Sequence, residues 1–136
     1  FRDDYYYEFV SLLLLTGMRC GEAGALTWQD IDFNNNVIHV RRTITRDEEG
    51  KTIKGKTPKS DAGARDIPMN ETIKSILAMQ KKKIALLPIA DIERNVFLTP
   101  YGYYVTTKCI NEHIKKTLLK NIFTLVIAQL NGIIRV

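Results

Sequence analysis

"TGMRCGEAGALTW", residues 16–28, sets one guanidinium among small side chains. Gly17, Gly21, Ala23, Gly24 and Ala25 leave little bulk around Arg19, so backbone or a ligand can approach it closely. The stretch follows the apolar run "YYYEFVSLLLLTG" and precedes the acidic turn "TWQDIDFNNN". Gly17 is expected to end a first helix, and a short second one then carries Arg19, Glu22, Ala23 and Leu26. On a helix Glu22, at i+3, shares a face with Arg19 and can hold its guanidinium. A planar fork fixed in that way matches two oxygens of a phosphate. An arginine on a helix is ordinarily a surface or salt-bridging residue, so this reading needs a second cationic group.

Outward from that stretch, the pattern is helix, strands, helix, helix. Asp3 and Asp4 are expected to cap the first helix, with Phe9, Leu12 and Leu13 facing inward. Three consecutive asparagines, Asn34 to Asn36, mark a loop, after which "VIHVRRTI" alternates with period two. Turn residues at Glu49-Gly50 and from Ser60 to Gly63 separate "KTIKGKT" from "ARDIPM". Together these pieces predict a small three-stranded antiparallel sheet. Asn70 is expected to cap a helix in which Ile73, Ile76, Leu77, Ile84 and Leu87 recur at helical spacing, stopped by Pro88. "NVFLTPYG" is a strand or extended piece ending in a turn. Thr106 or Thr107 then caps a last helix with Ile110, Ile114 and Leu118 on one stripe. The fold class is mainly α with a small antiparallel sheet, α+β.

Length and composition bound the function. A chain of 136 residues, 45% hydrophobic and 26% charged, suits one domain with a real core. Twenty basic against fifteen acidic residues give a net charge of +5, compatible with a polyanionic partner and shared by many proteins that bind none. Cys20 and Cys109 form no CxxC pattern, and His39 and His113 lack a second ligand at metal spacing, so neither metal nor other cofactor is expected. No apolar run reaches about 18 residues, and no signal pattern opens the chain, so a cytoplasmic protein without membrane contact is expected. The chain begins on "FRDD" without Met, already in a helical pattern, as a fragment would.

The second cationic group is offered by "KTPKSDAGARDIP". Lys59 lies just before a turn whose flanks return as antiparallel strands. Arg41, Arg42, Arg46, Lys51, Lys54, Lys56, Lys59 and Arg65 outweigh the acidic residues of this region. A basic ribbon beside a fixed arginine is a reasonable surface for a nucleic-acid backbone, with Arg41, Arg42, Lys56 and Arg65 as candidate contacts. His39 reads as a sheet residue, "KKK" at 81–83 as a solvated helix face, and Thr106, Thr107 and Lys108 as a helix cap.

"TGMRCGEAGALTWQDIDF", then "TPKSDAGARDIPM", then "VFLTPYG" before a helix, resembles the first half of the catalytic domain of tyrosine recombinases, nearest to phage and mobile-element integrases. The likeness spans roughly residues 8–118. It implies a mainly helical domain with a small sheet on one side. It also implies strand cleavage by a tyrosine that forms a 3′-phosphotyrosyl link, with rejoining by a 5′-hydroxyl and neither ATP nor metal. By resemblance Arg19 is the first of two arginines that stabilise charge on the phosphate's non-bridging oxygens. Glu22 matches the acidic residue that supports the site. Lys59 matches the hairpin lysine that serves as general acid to the departing oxygen, with Lys56 an earlier-placed rival. The implied partners are double-stranded DNA at recombination sites and other copies of the full-length protein on DNA, with no small-molecule ligand.

The pattern breaks after "HIKKTLLK". The family continues into His-x-x-Arg-His, a further His or Trp, and the tyrosine, whereas the last histidine here is His113 and the last tyrosine Tyr104. Residues 1–120 are therefore expected to be the N-terminal part of a catalytic domain. The tail from 121 to 136, "NIFTLVIAQLNGIIRV", is a buried helix, a strand, or sequence foreign to the original fold. Such a chain, bacterial or phage-encoded, lacks its nucleophile and is expected to be inactive alone. The alternatives are a non-catalytic DNA-binding remnant that occupies recombination sites or interferes with a full-length recombinase, and a structural all-α domain with accidental likeness.

Overall fold

The computed structural model describes residues 3–56 and 63–130. The chain divides into two compact units, Phe1–Thr106 and Thr107–Val136.

In the first unit, α1 spans Tyr7–Thr16. Asp3 and Asp4 do not cap it. Asp4 instead closes the preceding turn, its carboxylate accepting from the Tyr6 N–H at 2.9 Å, and Tyr6 occupies the cap position. A short aspartate bonds readily to the backbone two residues on, and here that leaves the helix to start later. Phe9 and Leu12 are buried, Leu13 only half so, and Phe9 meets the edge of Phe97 at 5.0 Å between ring centres. Gly17, at φ 68°, ends α1 in the left-handed conformation, and its N–H reaches the Leu13 carbonyl at 2.9 Å.

The second helix, α2, is the single short turn Cys20–Gly24. Its small residues admit protein rather than ligand. A Cβ on Gly21 would lie 2.6 Å from Thr43 Oγ1, and one on Gly24 would lie 2.4 Å from the Val105 carbonyl oxygen. The Thr43 hydroxyl can rotate away, but the Val105 backbone cannot. Gly24→Ala should therefore destabilise the protein by about 1–3 kcal/mol, read as an earlier midpoint in urea unfolding. An unchanged midpoint would mean that Val105 gives way freely.

The strands form two antiparallel groups where one sheet was expected. β1 (Ile31–Asp32), β2 (Val37–Val40) and β5 (Arg65–Pro68) make a three-stranded sheet in the order β1-β2-β5, with Ile38 opposite Ile67 and Val40 opposite Arg65. β3 (Arg42–Arg46) and β4 (Thr52–Lys56) make a separate ribbon, with Ile44 opposite Lys54. "VIHVRRTI" is thus two strands. The run divides at Arg41, whose guanidinium folds back onto the carbonyls of Val40 and Arg65, at 3.1 and 2.9 Å. β1 lies where an exit turn was expected, paired across a loop in which Asp32 accepts from the N–H groups of Asn34 and Asn35. The turn at Glu49-Gly50 is present, closed by Asp47 and by Gly50 at φ 82°. Most of the turn expected from Ser60 lies outside the described residues.

α3 spans Glu71–Ala85, and Asn70 caps it by accepting from the Ile73 N–H at 2.9 Å. Ile73, Ile76 and Leu77 are buried, Ile84 and Leu87 half-buried. Lys83 of α3 pairs with the buried Glu8 of α1, and buried Gln80 donates to the Val96 carbonyl at 2.8 Å. Residues 95–99 are buried beside the exit of α2, with Asn95 bridged to Thr27 and the Val96 N–H reaching the Leu26 carbonyl at 3.0 Å.

The second unit consists, in its described residues, of the helix α4 (Thr107–Leu130). It crosses residue 121 without a break, so the start of the tail is helical. Its described part, residues 121–130, is not buried: Phe123 is 67% exposed and Leu130 80%. No helix among the described residues is long and apolar enough to cross a membrane.

Candidate active site

Arg19 stands at the cap position of α2 with extended backbone, φ −72° and ψ 149°. A guanidinium has no acceptor, so it cannot cap the helix itself. The cap comes from Glu22, whose Oε1 accepts from the Arg19 N–H at 2.9 Å. The Arg19 side chain is exposed and forms no ion pair among the described residues.

Glu22 was expected to hold the Arg19 guanidinium. Its carboxylate grips Arg65 instead, Oε2 to one terminal nitrogen at 2.7 Å and Oε1 to the other at 3.1 Å. Glu22 is 2% exposed. Burial pushes its carboxyl up, but the Arg65 fork, the Arg19 N–H and the charges of Arg65 and Arg19 outweigh this and hold it below the usual carboxylate range. The same bond to Glu22 raises Arg65 further above its ordinary value. Glu22 is thus a fixed anion that orders the backbone of one arginine and the side chain of another.

The other candidates fall in different places. Arg42 turns inward, bonding Thr27 Oγ1 at 3.1 Å and Asp30 at 2.9 Å. Across the ribbon its backbone is paired with that of Lys56. Arg41 is exposed and pairs with Asp66 at 2.7 Å, alongside His39 at 2.8 Å on the same oxygen. His39 is a sheet residue, as expected. Hydrogen bonds from His39 and then Arg41 hold Asp66 below the usual range. Lys56 ends β4, and its side chain lies outside the described residues, as does Lys59 altogether. The segment that carries Lys59 is entered from β4 and left into β5, whose first residue is Arg65.

Sequence reasoning missed Lys54. Its side chain is 8% exposed, 2.8 Å from Glu93, bonded to Asn95 and lying over the Tyr104 ring. The Tyr104 hydroxyl donates to Glu93, and burial together with that carboxylate pushes its pKa up to about 12. This cluster borders a cavity of about 650 Å³ lined by Lys51, Ile89, Asp91, Glu93 and Tyr103. The only sign in the sequence was the alternation of β4, which sets Lys54 on the face opposite Ile53. Among the described residues, no group of three or more His, Cys, Asp or Glu could hold a metal.

Comparison with known proteins gives this arrangement its context. The model of the phage integrase family matches residues 3–122. The chain belongs to the phage integrase family. Among the integrase-family relatives, the transposase from transposon Tn916 of Enterococcus faecalis is 39% identical over 80 residues, which is 55% of this chain and 19% of that protein. A putative prophage phiRv2 integrase of Mycobacterium tuberculosis is 47% identical over 64 residues, 47% of this chain and 16% of that protein. Of solved integrase structures, the Tn1549 transposon integrase in complex with circular intermediate DNA superposes with a TM-score of 0.73 at 27% identity, over 90% of this chain and 42% of that one. The chain therefore spans about a fifth of the length of the first of these relatives and less than half of the solved integrase chain. The α+β arrangement of helices and small antiparallel sheets is that of part of an integrase catalytic domain.

Proposed function

We propose that this chain is the part of a tyrosine-type integrase catalytic domain that holds the scissile phosphate of double-stranded DNA, for site-specific recombination in the cytoplasm. Arg19 stabilises charge on a non-bridging phosphate oxygen, and Lys59 protonates the departing 5′-oxygen. Glu22 supports Arg19 through its backbone. Residues 1–120 supply this half of the site, and the tail from 121 departs from the catalytic pattern. The observation that carries the reading is Arg19, exposed on a backbone pinned by a buried carboxylate, in a chain of this family. A DNA partner is supported by the Tn1549 integrase, which was solved bound to DNA. Self-association on DNA belongs to the full-length protein.

The chain's last tyrosine is Tyr104, whose hydroxyl is bonded to Glu93, whereas the family's nucleophile follows a His-x-x-Arg-His stretch that has no counterpart in residues 121–136. The chain alone should bind a duplex without cutting it. Duplex affinity measured by fluorescence anisotropy should fall steeply as salt rises, and Arg41→Ala should lower the salt slope by about 1. No protein–DNA adduct should survive denaturing electrophoresis. A covalent adduct, or binding indifferent to salt, would overturn this reading.

A further inference from the structure

We infer that Arg65 is a positioning residue for Arg19, acting through Glu22, rather than a contact to the DNA backbone. The inference rests on the reading of Arg19 as the phosphate-holding arginine. One oxygen carries it. Glu22 Oε1 accepts from the Arg19 N–H at 2.9 Å and from Arg65 at 3.1 Å, while Oε2 accepts from the other Arg65 nitrogen at 2.7 Å. A two-point fork fixes a carboxylate in rotation as well as position, which a single bond does not. The oxygen that sets the start of α2, and hence the direction in which Arg19 leaves the backbone, is therefore aimed by Arg65.

Arg65 is itself anchored. It opens β5 opposite Val40, and the nitrogen that meets Glu22 Oε2 also donates to the Gly63 carbonyl at 3.2 Å. The strand that follows the Lys59 segment is thereby fastened to the helix that begins beside Arg19. A single buried carboxylate ties together the chain on both sides of the proposed site: Arg19 by its N–H, and the exit of the lysine segment by Arg65. With the guanidinium committed to a buried anion, a phosphate would have to displace Glu22 to engage it in the same way.

The test is a mutant cycle in a full-length recombinase carrying this segment, read by covalent-complex formation and by duplex binding. Arg65→Ala should slow covalent-complex formation about 10- to 100-fold, as expected when a reacting group is misaimed. Its duplex affinity and salt slope should stay within twofold of the parent. Glu22→Gln should slow the reaction comparably, and the double variant should be no slower than the worse single one. Arg65→Lys, which keeps the charge and loses the fork, should behave like Arg65→Ala. In the chain itself, Arg65→Lys should speed hydrogen exchange at the Arg19 N–H while leaving the Ile73 N–H unchanged, a readout that serves even where Arg65→Ala folds poorly. A lowered salt slope with full rescue by lysine would show a direct phosphate contact and overturn the inference. Additive effects, or unaltered Arg19 exchange, would overturn it too. Loss of cleavage in Arg19→Ala alongside normal cleavage in Arg65→Ala would sink this inference alone. Normal cleavage in Arg19→Ala would sink the reading beneath it.

Discussion

Replacing Arg19 by alanine, in a full-length recombinase carrying this segment, should lower covalent phosphotyrosyl complexes about 100- to 1000-fold while changing duplex affinity little. The magnitude is that of removing one preorganised donor from a site where charge develops. The selectivity follows from the position. Arg19 is one cation among twenty Lys and Arg, so its loss barely alters the attraction of the whole surface for a polyanion. It also contributes no ion pair among the described residues, and its backbone bond to Glu22 survives truncation of the side chain. The variant should therefore fold normally. Covalent complexes trapped on a nicked substrate and duplex affinity measured in parallel separate the two effects. Equal loss of both would mean that Arg19 serves general adhesion to DNA.

Glu22→Ala should act on the fold instead, lowering stability at neutral pH by about 3 kcal/mol. Removing one partner of a buried pair strands the other, a loss of roughly 3–5 kcal/mol. Arg65 is 30% exposed, so water recovers part of it and the lower end applies. The Arg19 N–H also loses its acceptor. The pH dependence has a fixed sign. Because the folded carboxyl lies below its ordinary value, its contribution is complete above the unfolded pKa of about 4.3. It is lost as pH falls through the depressed folded value. Urea midpoints of parent and variant should thus lie far apart at pH 7 and converge under acid. A gap that stayed constant would show that the Glu22 carboxyl titrates alike in folded and unfolded chains.

The residues that announced the fold were those whose local chemistry admits few alternatives. Gly17 ends α1, Asn70 caps α3, and Ile73, Ile76 and Leu77 face inward as their spacing demands. The contacts around the candidate site were less legible. The interval of three between Arg19 and Glu22 suggested a side-chain pair, yet α2 begins at Cys20, so Arg19 offers Glu22 its backbone and not its guanidinium. The true partner, Arg65, lies 43 residues away on β5, beyond the reach of any periodicity argument. The split of "VIHVRRTI" was hidden for a similar reason. Alternation runs through Arg41, and only the separate partners β5 and β4 divide the strand. Arg42 and Lys54 read as part of a uniform basic ribbon because charge counting is blind to Asp30 and Glu93 beneath them. The small residues around Arg19 suggested room for a ligand. They make room for β3 and Val105.

The claim that Arg19 meets the developing charge of a scissile phosphate is tested most directly by removing that charge from the substrate. Covalent-complex formation by the Arg19→Ala recombinase should be compared on a phosphate and on a neutral methylphosphonate at the cleavage position. If Arg19 offsets charge on a non-bridging oxygen, the neutral linkage dispenses with it, and the variant should recover at least about 10-fold in rate. A variant equally inactive on both substrates would contradict the assignment of Arg19 to the phosphate.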